Sequence, residues 1–239
     1  MKIRIKFRKY GIMKFIGHLD IMRYFQKAMR RADIDICYSS GFSPHMIMSF
    51  ASPLGVGLTS DGEYLDIEIG NEQSSASAVN RLNAVMAEGV EVLSFRMIPD
   101  EKSSNAMSLV AAADYEVRFR EESILPENMK EAWSSFCSQN SICIVKKTKK
   151  GERELDLKPL IYESRCEKDG SGRICISLRL SAGSADNIKP ELVMDAFASY
   201  AGFAVPDFGL LIHRRELYAD TGLEGAERFV SLEDLGEEF

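Results

Sequence analysis

The sequence contains no C-x-x-C pair. Its five cysteines, Cys37, Cys137, Cys143, Cys166 and Cys175, are odd in number and scattered. That suits reduced thiols in a cytosolic protein better than a disulfide framework. It also fails the spacing that a zinc site or an iron–sulfur cluster needs, so no metal and no cofactor of its own is expected. No apolar stretch approaches the ~20 residues of a membrane span. The first residues alternate charge with hydrophobe, which is not the apolar core of a signal peptide. These absences predict a cytoplasmic protein without a membrane partner. Phosphate-loop and dinucleotide chemistry are excluded as well. There is no Walker loop, and Leu54-Gly55-Val56-Gly57-Leu58 offers only two glycines after no long buried strand. A G-x-S-x-G nucleophile motif is also missing.

What is present is an ordinary globular mixture over 239 residues, 45% hydrophobic and 28% charged. A chain of this size allows one large domain or two small ones, and it buries enough surface to fold without staples. The formal net charge is −6, which taken whole argues against a generic polyanion binder. The average hides a gradient. Residues 1–50 carry ten cations (Lys2, Arg4, Lys6, Arg8, Lys9, Lys14, Arg23, Lys27, Arg30, Arg31) against Asp20, Asp33 and Asp35. Residues 216–239 hold eight carboxylates against Arg228 alone. A basic start with an acidic end is a known pattern for nucleic-acid contact. It is equally the pattern of two ends that neutralise each other in the fold.

The opening strand has a period of two, with Ile3, Ile5 and Phe7 on one side and Lys2, Arg4, Lys6 and Arg8 on the other. An amphipathic helix follows at about 17–32 (Leu19, Met22, Phe25, Met29) with a basic stripe of Arg23, Lys27 and Arg30. Short β-like runs at 34–38 and 46–50, a strand at 63–69, a helix at 75–88 and a strand at 90–97 complete a β-α-β-β-α-β order. Residues 99–110, with Pro99, Ser103, Ser104 and Asn105, read as a linker. The plan then recurs. Tyr115, Val117 and Phe119 begin a strand, and Met129, Trp133 and Phe136 follow at helical spacing after Pro126. Lys149-Lys150-Gly151 makes a hairpin turn, and Ile174–Leu180 a strand. A helix at 190–200 and a strand at 209–217 close the second half, which has one or two extra strands.

The expected fold is therefore α+β: tandem ferredoxin-like β-α-β-β-α-β units with antiparallel sheets. The expected division is 1–98, a 99–110 linker, 111–218 and an acidic C-terminal tail at 219–239. The open face of such a sheet is a common RNA platform, and Lys2, Arg4, Lys6 and Arg8 fall on it. The same topology pairs the first strand with the third, whose Glu63, Asp66 and Glu68 would absorb some of that charge.

Three histidines are available. His18 opens the first helix, where a neutral ring could cap or meet a phosphate. His45 closes Gly41-Phe42-Ser43-Pro44-His45, a turn-rich loop that could hold an imidazole at a binding surface or simply be exposed. His213, in His213-Arg214-Arg215, reads as a strand end. Lys146–Lys150 forms a basic hairpin that could grip a backbone or stand in solvent. The Glu233–Glu238 tail reads as a solvated end or a partner-binding strip.

Several segments together resemble a known family. In order they are Gly17-His18-Leu19-Asp20-Ile21-Met22-Arg23, Ala28-Met29-Arg30-Arg31-Ala32, Gly41–His45, Ser49-Phe50-Ala51, Leu54-Gly55 and Glu63-Tyr64-Leu65-Asp66. Asp156–Leu160 and Arg214-Arg215-Glu216-Leu217 follow more weakly. The chain in this respect resembles the uncharacterised bacterial radical SAM-linked proteins, whose members stand alone or are fused behind a radical SAM enzyme. The resemblance implies a radical SAM protein as partner and supplies no mechanism. Where that family has Pro-Lys after the loop histidine, Met46-Ile47 stand here, so a cation beside a phosphate is missing. The duplicated plan is also similar to that of CRISPR repeat-processing endonucleases, at the level of fold alone.

Three functions follow as expectations. The first is an RNA-binding accessory protein of a radical SAM enzyme, in RNA modification. Arg4, Lys6, Arg8, Lys14, Arg23 and Lys27 would meet phosphates, and Phe42, His18 and His45 would sit at the specificity end. The second is a metal-independent endoribonuclease, with His45 as general base, Tyr38 as proton donor and Lys14 or Arg8 stabilising the phosphorane. The third is a protein–protein adaptor that binds no RNA.

Overall fold

The computed structural model describes residues 1–71, 74–101, 104–120, 125–148, 151–183, 186–223 and 226–239. Lys149, Lys150 and Ser103 lie outside them, so the tip of the basic hairpin and part of the expected linker do too. The fold is mixed α+β, with a mostly antiparallel sheet and few helices. Among the described residues no helix is long and apolar enough to cross a membrane.

Two compact units emerge: Met1–Ala112 together with Arg214–Phe239, and Ala113–His213. The expected linker thus lies just before the division between Ala112 and Ala113. The last 26 residues return to the first unit instead of forming a separate tail.

The first unit runs β1 (Lys2–Lys9), a 3-10 turn (Gly11–Phe15), α1 (His18–Arg31), β2 (Met48–Phe50), β3 (Thr59–Glu68), α2 (Ser75–Val85), β4 (Val90–Met97) and the one-turn α3 (Ala106–Leu109). The strand order is β4-β1-β3 with β2 also on β3, and the β1–β3, β1–β4 and β2–β3 pairs are antiparallel. Alternation on β1 decides which side is core. Ile3, Ile5 and Phe7 are buried and meet Phe25 and Met29 of α1 and Leu65, Ile67 and Phe95 of the neighbouring strands. The Phe7 and Phe25 ring centroids are 4.7 Å apart. Full burial of such a ring contributes about 1.5–3 kcal/mol over leaving it in water.

The second unit runs β5 (Val110–Phe119), α4 (Met129–Cys137), the hairpin β6 (Cys143–Thr148) and β7 (Gly151–Asp156), β8 (Ile161–Lys168), β9 (Ile174–Ser181), α5 (Pro190–Ala201) and β10 (Leu210–Asp220). Its strand order is β10-β5-β9-β8, and β8 and β9 pair antiparallel from Ile161↔Leu180 to Lys168↔Ile174. Trp133, Phe136 and Phe197 form its core, with the Trp133 and Phe197 rings 4.8 Å apart.

From Arg214 onward β10 belongs to the first unit, next to β3, and β11 (Phe229–Ser231) pairs antiparallel with it. The acidic tail, expected as a solvated end or a partner-binding strip, is integrated into the first unit. Leu232 is fully buried, Glu237 and Met97 exchange two backbone hydrogen bonds, and Phe239 packs 6.3 Å from Phe95. The apolar residues spaced among the carboxylates explain this correction: Phe229, Leu232 and Phe239 anchor the segment.

Candidate functional site

The β1 cations do not stand on an open face. Arg4 is 1% exposed; its Nε and Nη2 donate to Asp66 at 2.8 and 3.0 Å, and it also reaches the carbonyls of Leu232 (3.1 Å) and Ser104 (2.6 Å). Lys6 Nζ lies 2.7 Å from Glu216 and 2.8 Å from Glu233. Arg8 meets Glu91 at 3.2 Å and Asp61 at 3.4 Å. The physical reason is twofold. The C-terminal segment brings Glu216, Glu233 and the Leu232 carbonyl to Lys6 and Arg4. Carboxylates of the first unit, Asp61, Asp66, Glu91 and Asp100, meet Arg8, Arg4 and Lys2. Burial pulls the Lys6 ammonium down, but the Glu216 and Glu233 hydrogen bonds outweigh it and hold it above its ordinary value.

Residues of β3 and β10 interlock around this face. Tyr64 Oη donates to Glu216 at 2.6 Å and lies 3.1 Å from Ser231 Oγ. Burial, reinforced by the Glu216 carboxylate, pushes the Tyr64 phenol far up, so it stays neutral. Arg214 and Glu63 form a second buried ion pair. Beside it, Lys9 Nζ donates to the Ile16 carbonyl at 2.8 Å. Burial, with Arg214 adding to it and Glu63 opposing, pulls the Lys9 ammonium below its ordinary value. His18 is half-buried and packs edge-on to Phe50, the ring centroids 5.2 Å apart, so it serves this core.

Other candidates remain at the surface. Arg23 and Lys27 are exposed on α1, with Arg30 and Arg31 beyond them. Arg23 lies 3.4 Å from Asp20, whereas Lys27, Arg30 and Arg31 have no carboxylate partner among the described residues. Lys14 Nζ sits 5.2 Å from the centroid of the Phe15 ring, which is 65% exposed. Phe42 is fully exposed at the tip of its loop, where Gly41 takes φ +109°, a region closed to most side chains.

The base of that loop is fixed. Tyr38 and Met46 form a β-bridge, and the Ser39 N–H donates to the His45 carbonyl at 2.9 Å. The His45 N–H donates to Ser39 Oγ at 3.2 Å, and Ser39 Oγ lies 2.9 Å from His45 Nδ1. His45 thereby lines a cleft of about 610 Å³ with Lys2, Met46, Met48, Glu68, Ile98 and Met107. Tyr38, Lys14 and Arg8 do not line this cleft. Sequence reasoning did not find Glu68 or Met107 as cleft residues. Glu68 was legible only as an outward strand position and Met107 as part of a linker. Among the described residues no three His, Cys, Asp or Glu side chains converge as metal ligands.

Among solved structures, a chain from the crystal structure of a Cbf5-Nop10-Gar1 complex is similar at a TM-score of 0.47 and 11% identity. The match covers 90% of this chain and 48% of that one, so the protein spans about half its length. No curated protein matches. A family model described as an uncharacterized protein conserved in bacteria (DUF2344) matches residues 2–190, and the chain belongs to that family.

Proposed function

We propose that the protein is an RNA-binding accessory subunit of a separate enzyme, with its phosphate contacts on α1 instead of β1. The observation that carries this is the row Arg23, Lys27 and Arg30, at i, i+4 and i+7 on one exposed helix face. The β1 cations are consumed internally, whereas Lys27 and Arg30 have no carboxylate partner among the described residues. Lys14 with the exposed Phe15 ring at the start of that segment, and Phe42 on its loop, add aromatic faces on which bases stack. The partner enzyme is a radical SAM protein, in a cytoplasmic setting, as the sequence resemblance implies. Each unit is ferredoxin-like in this reading. The strand order β4-β1-β3-β2 supports this for the first unit, and β10-β5-β9-β8 with β6–β7 inserted supports it for the second.

The test is fluorescence anisotropy with a labelled single-stranded RNA across a salt series. Three phosphate contacts give a log–log slope of roughly −2. Lys27→Glu with Arg30→Glu flattens the slope, and Arg8→Glu leaves it in place. Absence of binding at low salt defeats the proposal.

A further inference from the structure

The cleft beside His45 is chemically unlike α1. Its lining combines the buried Met46, Ile67 and Ile98 with Met48 and Met107, and its carboxylates are Asp66, Glu68 and the exposed Glu101. Asp66 is saturated, because it accepts from Arg4 Nε and Nη2 and from the Ala106 N–H at 2.7 Å. Glu68 is different. Its backbone is tied on both sides, accepting from the Cys37 N–H at 2.7 Å and donating to the Ile47 carbonyl at 3.3 Å. Lys2 is its cross-strand neighbour, the natural counter-charge at this register. The Lys2 ammonium is instead 2.7 Å from Asp100 and 3.5 Å from the Glu101 carbonyl. Among the described residues the half-buried Glu68 carboxylate has no hydrogen bond or ion pair. A carboxylate on a fixed backbone, beside an apolar, thioether-rich wall, therefore has no cation partner among the described residues.

We infer that this cleft binds an organic cation with a compact apolar body, whose head group pairs with Glu68. The volume lies within the range of about 300–1,000 Å³ typical of small-molecule sites. Methionines 46, 48 and 107 supply polarisable, adaptable contacts for the body. A charge-assisted hydrogen bond to Glu68 selects the head group, and the same carboxylate, with Glu101, turns anions away. This site is separate from the α1 reading and does not depend on it.

Benzamidinium is the probe, with neutral benzamide and anionic benzoate as near-isosteres, titrated calorimetrically into the full chain at low salt. Benzamidinium binds, benzamide binds at least tenfold more weakly, and benzoate gives no heat. Glu68→Gln weakens benzamidinium at least tenfold and leaves benzamide unchanged. Met107→Arg, on the exposed one-turn α3, supplies an internal cation and produces the same loss. Circular dichroism and melting of both variants exclude unfolding as the cause. Equal affinity for benzamidinium and benzamide overturns the assignment, as does absent benzamidinium binding or an unaffected Glu68→Gln variant.

Discussion

Arg214 Nη2 lies 2.6 Å from each carboxylate oxygen of Glu63, and its Nε is 2.9 Å from Oε1. The two side chains are 3% and 6% exposed. Arg214 Nη2 also donates to the Ser52 carbonyl at 2.7 Å. Removing one partner strands the other charge in the interior, which costs about 3–5 kcal/mol, whereas replacing both by apolar groups is nearly neutral. Arg214→Met and Glu63→Leu each lower the unfolding free energy in urea by that amount, and the double variant recovers most of it. Additive losses in the double variant would show that the pair is not coupled.

The C-terminal segment responds to acid. Burial pushes the Glu233 carboxyl up, but hydrogen bonds from Lys6 and Ser94 outweigh it and hold the group below its ordinary value of 4.5. Its stabilisation is therefore complete above that value and is lost as pH falls through the lower folded value. Lys6 has the opposite sense: its contribution is complete below 10.5 and is lost as pH rises through its raised folded value. Protection of the paired Met97 and Glu237 amides against hydrogen exchange, corrected for intrinsic rates, falls as pH drops below about 4.5. In Glu233→Gln the protection starts lower and that acid limb disappears. An unchanged limb would place the titrating group elsewhere.

Element order and most element positions were legible in the sequence, because Ile3, Ile5 and Phe7 or Met129, Trp133 and Phe136 repeat at the periods that packing demands. The expected strands at 34–38 and 46–50 shrink to the bridges at Ile36 and Tyr38 and to Met48–Phe50. Strand β8 was not legible: Glu163, Arg165 and Glu167 alternate on its exposed side, but the positions between them are Ser164 and Cys166, so no apolar row marks the inward face. The site was less readable still. Local alternation turned Arg4 and Lys6 outward correctly, but it carries no record of Leu232 and Glu233 folding back over them from more than 200 residues away. Charge counts at the two ends pointed to that neutralisation without fixing the register.

The thiols sit in different surroundings. Burial, slightly offset by Lys130, pushes the Cys166 thiol up to about 11, and burial also raises Cys137, against the Ser164 hydrogen bond. Cys143 is exposed. At pH 8 a thiol at 11 is roughly one-thousandth thiolate, and thiolate is the species that reacts. Brief iodoacetamide treatment followed by peptide mass spectrometry modifies Cys143 first and leaves Cys166 unmodified until the chain is denatured. Early labelling of Cys166 would contradict its raised thiol value and its half-burial on β8.

Phe42 separates a binding loop from a packing loop. Its ring is fully exposed, and the loop is closed by the Ser39 and His45 hydrogen bonds, not by aromatic packing. Phe42→Ala removes no buried area, so the stability change stays within about 0.5 kcal/mol. His45→Ala loses the contact of Nδ1 with Ser39 Oγ, worth about 1 kcal/mol, but keeps the backbone bonds that close the loop. If a base stacks on Phe42, its removal weakens single-stranded RNA binding by about 1–3 kcal/mol, a factor of roughly 5–150, while the salt slope stays the same because no phosphate contact is lost. Lys27→Glu with Arg30→Glu gives the reverse pattern, a flatter slope with the stacking contribution intact. Anisotropy titrations at two salt concentrations, paired with melting curves, distinguish the two effects. A Phe42→Ala protein that melts several degrees lower and binds RNA as before would assign the loop to stability.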